Sequence, residues 1–204
     1  MTSTPLLYLA SQSPRRRELL DLLGVRHELL LAGPDEDAEA LEAERAGEAP
    51  VDYVERVTRA KLAAALDRRE RRGLPVAPVL CADTTVALGE RIFGKPVDAT
   101  DAARILAALS GQTHVVHTAI AVATSKREAA ACRVQTSCLT WRALQPAEID
   151  RYVASGEPFG KAGAYAIQGR AAAWTVRLDG SYSGIMGLPL YETAQLLGPL
   201  GFGV

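Results

Sequence analysis

Apolar positions along this chain follow two rhythms, and the switches between them mark its elements. Leu6 to Ala10 is a continuous apolar run of strand length, followed by Ser11-Gln12-Ser13-Pro14 and then by Leu19, Leu20, Leu22 and Leu23. The pattern predicts a strand running into a helix, with Ser13 as N-cap and Pro14 in the first helical position. His27 to Leu31 reads as a second strand, Gly33 to Asp37 as an acidic loop, and Glu42 to Pro50 as a polar loop or lid. Between Val51 and Arg72, Val54, Val57, Ala60, Ala64 and Leu66 repeat at helical spacing, and the arginines at the far end suit the helix dipole. Val79 to Leu88 is nearly continuous apolar sequence broken by Asp83-Thr84-Thr85, the pattern of a buried strand interrupted by a site.

Asp98, Thr100 and Asp101 open a further helix that Gly111 closes. His114 to Thr124 and Ala130 to Trp141 are β-rich and joined by the polar turn Ser125-Lys126-Arg127-Glu128, which predicts an antiparallel hairpin. Pro146 to Ala154 reads as a short helix, Trp174 to Leu178 as a strand, and Pro189 to Leu197 as the last helix. The class is therefore mixed α/β. No repeat or linker divides the 204 residues, so residues 1–204 are expected to form a single domain.

Composition narrows the function. Hydrophobic residues make up 48% and charged residues 23%, as in globular proteins, while the net charge of −1 and an aromatic content of 5% argue against a nucleic-acid binder. The same charge balance argues against a membrane surface, and no apolar stretch reaches spanning length. With no secretory leader pattern, cytoplasm is the expected location. Cys81, Cys132 and Cys138 cannot all pair within one chain, and Cys81 lies in an apolar run as a small core residue.

Charge placement supplies the candidate chemistry. Arg15, Arg16 and Arg17 crowd the first turn of the first helix, where the dipole is already positive, so a bound anion is needed to resolve the conflict. A solvated basic turn is the alternative, and in either case removing these charges should spare the fold. Only four lysines accompany 19 arginines, which singles out Lys61, Lys95 and Lys161 as compact ammonium groups; Lys126 sits in a turn. Asp83, inside an apolar run, requires a partner and suits a general base or Mg²⁺ ligand, unless it simply ends its strand. Asp35, Glu36 and Asp37 are a second source of carboxylates, or a solvated turn. His114 and His117 lie in β-rich sequence without zinc spacing and read as structural. Attack by an activated water is better supported than covalent catalysis, since no nucleophile elbow is present.

Six segments in this order resemble the Maf proteins: Ser11-x-Ser13-Pro14-Arg15-Arg16, Ala82-Asp83-Thr84, Gly94-Lys95-Pro96-x-Asp98, Leu109 to His114, Lys161 to Gly169, and Gly187-Leu188-Pro189. The likeness covers Leu6 to Leu197. It implies a two-lobed α/β fold with an extended mixed sheet and a central cleft, similar to inosine triphosphate pyrophosphatases. It also implies hydrolysis of a nucleoside triphosphate to the monophosphate and pyrophosphate. Tyr165-Ala166-Ile167-Gln168-Gly169 resembles the subgroup that acts on dTTP and UTP, with CTP or modified uridine triphosphates as further substrates.

By the same resemblance Asp83 is the proton acceptor. Arg15, Thr84 and Gln168 match positions tied to substrate choice, while Ser11, Arg16, Glu36, Lys61 and Lys95 match the cleft that holds triphosphate and metal. Glu36 and Asp83 are the expected metal ligands, with Mg²⁺ or Mn²⁺ as the cofactor, and a homodimer is expected. The role implied is nucleotide-pool sanitation or division control. A nucleotide-sensing module that binds without turnover is the alternative, separated by an assay of pyrophosphate release.

Overall fold

A computed structural model describes residues 5–34, 36–37, 40–126 and 130–204. The expected first unit is present: β1 (Leu7–Leu9), α1 (Pro14–Leu22) and β2 (His27–Leu29). The long helix α2 (Pro50–Arg71) then leads to β3 (Val79–Leu88), β4 (Arg91–Phe93) and α3 (Ala99–Leu109). The hairpin of β5 (Thr113–Ala123) and β6 (Ala131–Trp141) follows, with α4 (Pro146–Ala154), β7 (Thr175–Asp179), α5 (Tyr182–Met186) and α6 (Leu190–Leu197) completing the order. Arg127 and Glu128 of the predicted turn, and Asp35 of the acidic loop, lie outside the described residues.

The strands among the described residues form one mixed sheet in the order β2-β1-β3-β5-β6-β7, with β4 paired to the end of β3. β1 lies parallel to both β2 and β3, and the long β5 is antiparallel to its two neighbours, β3 and β6. Because side chains alternate across a strand, β3 serves two cores at once. Leu80 and Ala82 pack with Leu19 and Leu20 of α1 and Leu196 and Leu197 of α6. Val79 and Cys81 pack on the opposite face against Leu62, Ala65 and Leu66 of α2. Further along, Val86 joins a third cluster with Leu106, Trp141, Tyr165 and Trp174. Asp83 to Thr85 fall between these cores, and the strand runs through them unbroken instead of being interrupted.

Three features depart from the sequence reading. β4 is only three residues long and exists by pairing with Val86, Ala87 and Leu88, so its own pattern does not announce it. α5 is five residues long, too short to show a helical period; it is capped by Ser181, whose hydroxyl accepts from Gly184 N at 3.0 Å. Arg68 and Arg69 at the end of α2, placed by sequence only as charge suited to the helix dipole, are buried. Arg69 Nη1 donates to the carbonyls of Ala77 and Thr124 at 2.5 and 2.6 Å, tying the helix end to the strands beside it. Among the described residues, no helix is long and apolar enough to cross a membrane.

Candidate active site

The N-terminal turn of α1 opens into a cleft of about 690 Å³, within the usual range for small-molecule sites. Ser13 takes the N-cap position and Pro14 the first helical position, but the Ser13 hydroxyl makes no capping bond. Its backbone N–H instead donates to Ser11 Oγ at 3.2 Å. Arg16 turns inward, donating from Nε to the Gly187 carbonyl at 2.8 Å, from Nη1 to Ser11 Oγ at 3.1 Å and from Nη2 to Thr84 Oγ1 at 3.3 Å. Thr118 spends its proton on the Gly184 carbonyl at 2.7 Å, so Thr84 donates to Thr118 and accepts from Arg16. Gly187 sits at φ 116°, a conformation that favours glycine, while a Cβ there would make only ordinary contact with Arg16 Nε at 3.4 Å. The arginine expected to meet only ligand is thus also a brace between α1, β3 and α5. Burial lowers its pKa, with Asp83 opposing.

Arg15 is less committed, with one 3.4 Å bond from Nε to the Met186 carbonyl, and Arg17 is exposed and does not line the cleft. Lys161 lines the same cleft. Burial, and then the like charge of Arg15, push its pKa down. Neither Arg15 nor Lys161 has an ion-pair partner among the described residues, so the cleft holds positive charge in want of an anion.

On the other face of β3, Asp83 Oδ1 accepts from Lys61 Nζ of α2 at 2.5 Å. Lys61 also donates to Glu42 Oε1 at 2.7 Å, and Glu42 Oε2 faces Lys95 Nζ at 3.4 Å. Burial alone would lower the Lys61 pKa, but the charges and hydrogen bonds of Asp83 and Glu42 outweigh it and raise it. For Glu42, burial would raise the pKa, and the bonds from Lys61 together with Lys95 carry it below the usual carboxylate value.

Glu36 is placed differently from expectation. Arg68 Nε and Nη2 fork onto its carboxylate at 2.7 to 3.0 Å, and Gly33 N donates to it at 3.2 Å. The Arg68 hydrogen bonds hold its pKa at about 2. The side chain lines the cleft, yet both oxygens are committed to arginine. Glu42, which sequence reasoning left in a polar loop, is the carboxylate brought to Lys61 and Asp83. Its only signal was an acidic residue ahead of the lysine-bearing helix, one of several.

The segment Lys161 to Gly169 forms the opposite wall. Gly163, at φ 69°, lies where a Cβ would clash with Val86 at 2.8 Å, and a Cβ on Gly169 would overlap Glu157. Glu157 accepts from Arg170 N at 3.0 Å and from Tyr152 Oη at 2.9 Å, while Lys161 Nζ donates to the Glu157 carbonyl at 2.5 Å. The wall is therefore braced without Gln168, whose exposed amide lines the cleft and has no hydrogen-bond partner among the described residues. Tyr165 Oη meets His114 Nε2 at 2.9 Å inside the core, so His114 is structural; burial lowers its pKa to about 4. His117 pairs with Thr136 across the hairpin.

Ser11, Arg15, Arg16, Glu36, Lys61, Asp83, Thr84, Lys95 and Gln168 all line this one cleft. Among the described residues no group of three or more His, Cys, Asp or Glu side chains is arranged to hold a metal. Asp83 offers Oδ2, which has no described hydrogen bond. One carboxylate completed by phosphate oxygens and water suits Mg²⁺, which seldom sits in an all-protein cage.

Several curated proteins share most of this sequence. A protein of Albidiferax ferrireducens called dTTP/UTP pyrophosphatase is 64% identical over 97% of this chain and 98% of its own length. Proteins of the same name from Burkholderia pseudomallei and Polaromonas sp. are 60% and 55% identical, covering 96% and 100% of this chain and 93% and 100% of theirs. A solved structure of a nucleoside-triphosphatase, a dITP/XTP pyrophosphatase from Mycobacterium abscessus, is similar only at TM-score 0.39 and 16% identity, covering 67% of this chain and 74% of that one, too distant to carry an argument. The sequence model described as Maf-like protein matches residues 6–200, and this chain belongs to that family.

Proposed function

We propose that this chain hydrolyses dTTP and UTP between the α and β phosphates, giving the nucleoside monophosphate and pyrophosphate. The observation that carries the reading is the pairing of a buried-strand carboxylate, Asp83, with a cleft whose cations Arg15 and Lys161 lack an ion-pair partner among the described residues. The names of the relatives point to the same substrates.

A triphosphate carries about four negative charges near neutral pH. Arg15, Lys161, Lys61 and Lys95 neutralise them, with Arg16 held in place by Ser11 and Thr84 and adding the positive end of α1. Asp83 takes a proton from a water molecule as the water oxygen bonds to the α-phosphorus and the bond from the α-phosphorus to the oxygen bridging to the β-phosphate breaks, so pyrophosphate leaves. The cations stabilise the charge that builds on the transferring phosphoryl group, which is the larger part of the rate. Asp83 would be the residue to hold a divalent cation, Mg²⁺ or Mn²⁺, which would supply further charge neutralisation. Gln168 reads the base edge, its amide offering one donor and one acceptor. The chain works as a cytoplasmic homodimer.

The test is pyrophosphate release from dTTP, UTP, CTP and GTP, each with Mg²⁺ and with Mn²⁺. Turnover highest on dTTP and UTP supports the reading. Tight binding without release would make the protein a nucleotide sensor instead.

A further inference from the structure

Glu42 ends the short 3-10 turn Ala40–Glu42, and its carboxylate engages both Lys61 and Lys95 at once. The segment carrying it is fastened to α2 at three points. Tyr53 Oη donates to the Glu42 carbonyl at 2.8 Å, and Arg56 Nη2 donates to the Ala43 carbonyl at 2.9 Å. The Arg56 guanidinium also forks onto Glu48 at 2.5 and 2.6 Å. Two oxygens of one anion are thereby held against two ammonium groups, which is the arrangement a bridging phosphate makes.

We propose that Glu42 is an intramolecular stand-in for substrate phosphate, held over the cleft by the Arg56–Glu48 clamp. It engages Lys61 and Lys95 and yields them when a polyphosphate enters. The proposal rests on the pyrophosphatase reading of the same cleft. A singly charged anion does not displace a tethered carboxylate that meets two lysines, whereas a triphosphate does, so the contact selects for highly charged ligands. After cleavage the same carboxylate competes with the departing pyrophosphate. Glu42 is a positioning residue, acting through the lysines and not on the reacting atoms.

The test is calorimetric titration of the full chain with inorganic pyrophosphate in the presence of a chelator, alongside steady-state kinetics on dTTP. Glu42→Gln removes the charge from a half-exposed side chain and should tighten pyrophosphate binding about tenfold, with a lower KM for dTTP. Glu48→Gln, which loosens the clamp but keeps the Glu42 carboxylate, should shift both in the same direction by less. Unchanged or weaker pyrophosphate affinity in a Glu42→Gln protein of normal melting temperature overturns the proposal. So does a fall in kcat with lost Mn²⁺ affinity and unchanged metal-free pyrophosphate binding, which would make Glu42 a metal ligand. If wild type releases no pyrophosphate from dTTP or UTP, the pyrophosphatase reading fails, and the chelated titration still decides the role of Glu42.

Discussion

Asp83 and Thr84 are consecutive on β3, yet they reach opposite faces of the sheet: Asp83 Oδ1 lies 2.5 Å from Lys61 of α2, and Thr84 Oγ1 lies 3.3 Å from Arg16 of α1. The alternation of a strand thus lets one dipeptide tie both helices to a single cleft. It also separates their tasks, since Asp83 faces the Lys61 ammonium and Thr84 closes a hydrogen-bond relay through Thr118.

The Asp83→Asn variant should keep the fold and bind nucleotide while losing turnover by about a hundredfold or more, the scale of a lost general base. Pyrophosphate release measured with a folded variant checks this. Near-normal turnover would place proton removal on another group.

Arg15 and Arg16 should now behave differently. Arg16→Ala strips donors from Gly187, Ser11 and Thr84 and should cost about 1–3 kcal/mol of stability, besides weakening triphosphate binding. Arg15→Ala should leave the melting temperature near that of wild type and lower affinity alone, as like charge leaves the helix end. Thermal melts paired with nucleotide titrations distinguish the two; equal destabilisation by both variants would contradict the assignment.

Gln168→Ala should lower kcat/KM on dTTP and UTP about ten- to a hundredfold by leaving a base edge unpaired. Activity on GTP should change much less. Parallel kinetics on dTTP and GTP decide it, because an equal loss on both would mean that Gln168 shapes the wall after all.

Acid should weaken the fold in two windows. His114 has its pKa lowered from 6.5 to about 4 by burial, so the unfolded chain binds the extra proton first as pH falls. The stability that neutral His114 contributes is complete above pH 6.5 and declines as pH drops toward 4. Glu36, lowered from 4.5 to about 2 by Arg68, follows the same sign, complete above 4.5 and lost toward 2. Urea midpoints followed from neutral pH to pH 3 should fall throughout. His114→Phe should flatten the upper window and Glu36→Gln the lower, and an unaltered profile in either variant would reject that assignment.

Much of this arrangement was legible because the relevant physics is local. β3 reads as apolar because it is buried on both faces, and α3 announces itself by Asp98, whose side chain accepts from Asp101 N at 2.7 Å. The arginines at the start of α1 were conspicuous because they oppose the helix dipole. β4 and α5 were not legible, since three and five residues carry no period and depend on partners for their existence. Arg68 and Arg69 read as dipole-matching charge, and nothing in their spacing shows that carbonyl groups and Glu36 wait for them.

The sequence by itself determined the kinds of element, their order, and the stock of cations and carboxylates available to one cleft. Which of those charges meet was decided only by the tertiary structure. Lys61 and Asp83 are 22 residues apart, and Arg16 and Gly187 are 171 apart. Such contacts depend on which face a helix turns to the sheet and on the register of the strands beneath it. Glu36 and Glu42 differ little as residues in an acidic stretch; Glu36 falls against Arg68 near the end of α2, and Glu42 against Lys61 about two helical turns earlier, where Asp83 also meets it. A shift of one residue in β3 would exchange the faces of Asp83 and Thr84, so the chemistry of the cleft resides in register, which no local pattern encodes.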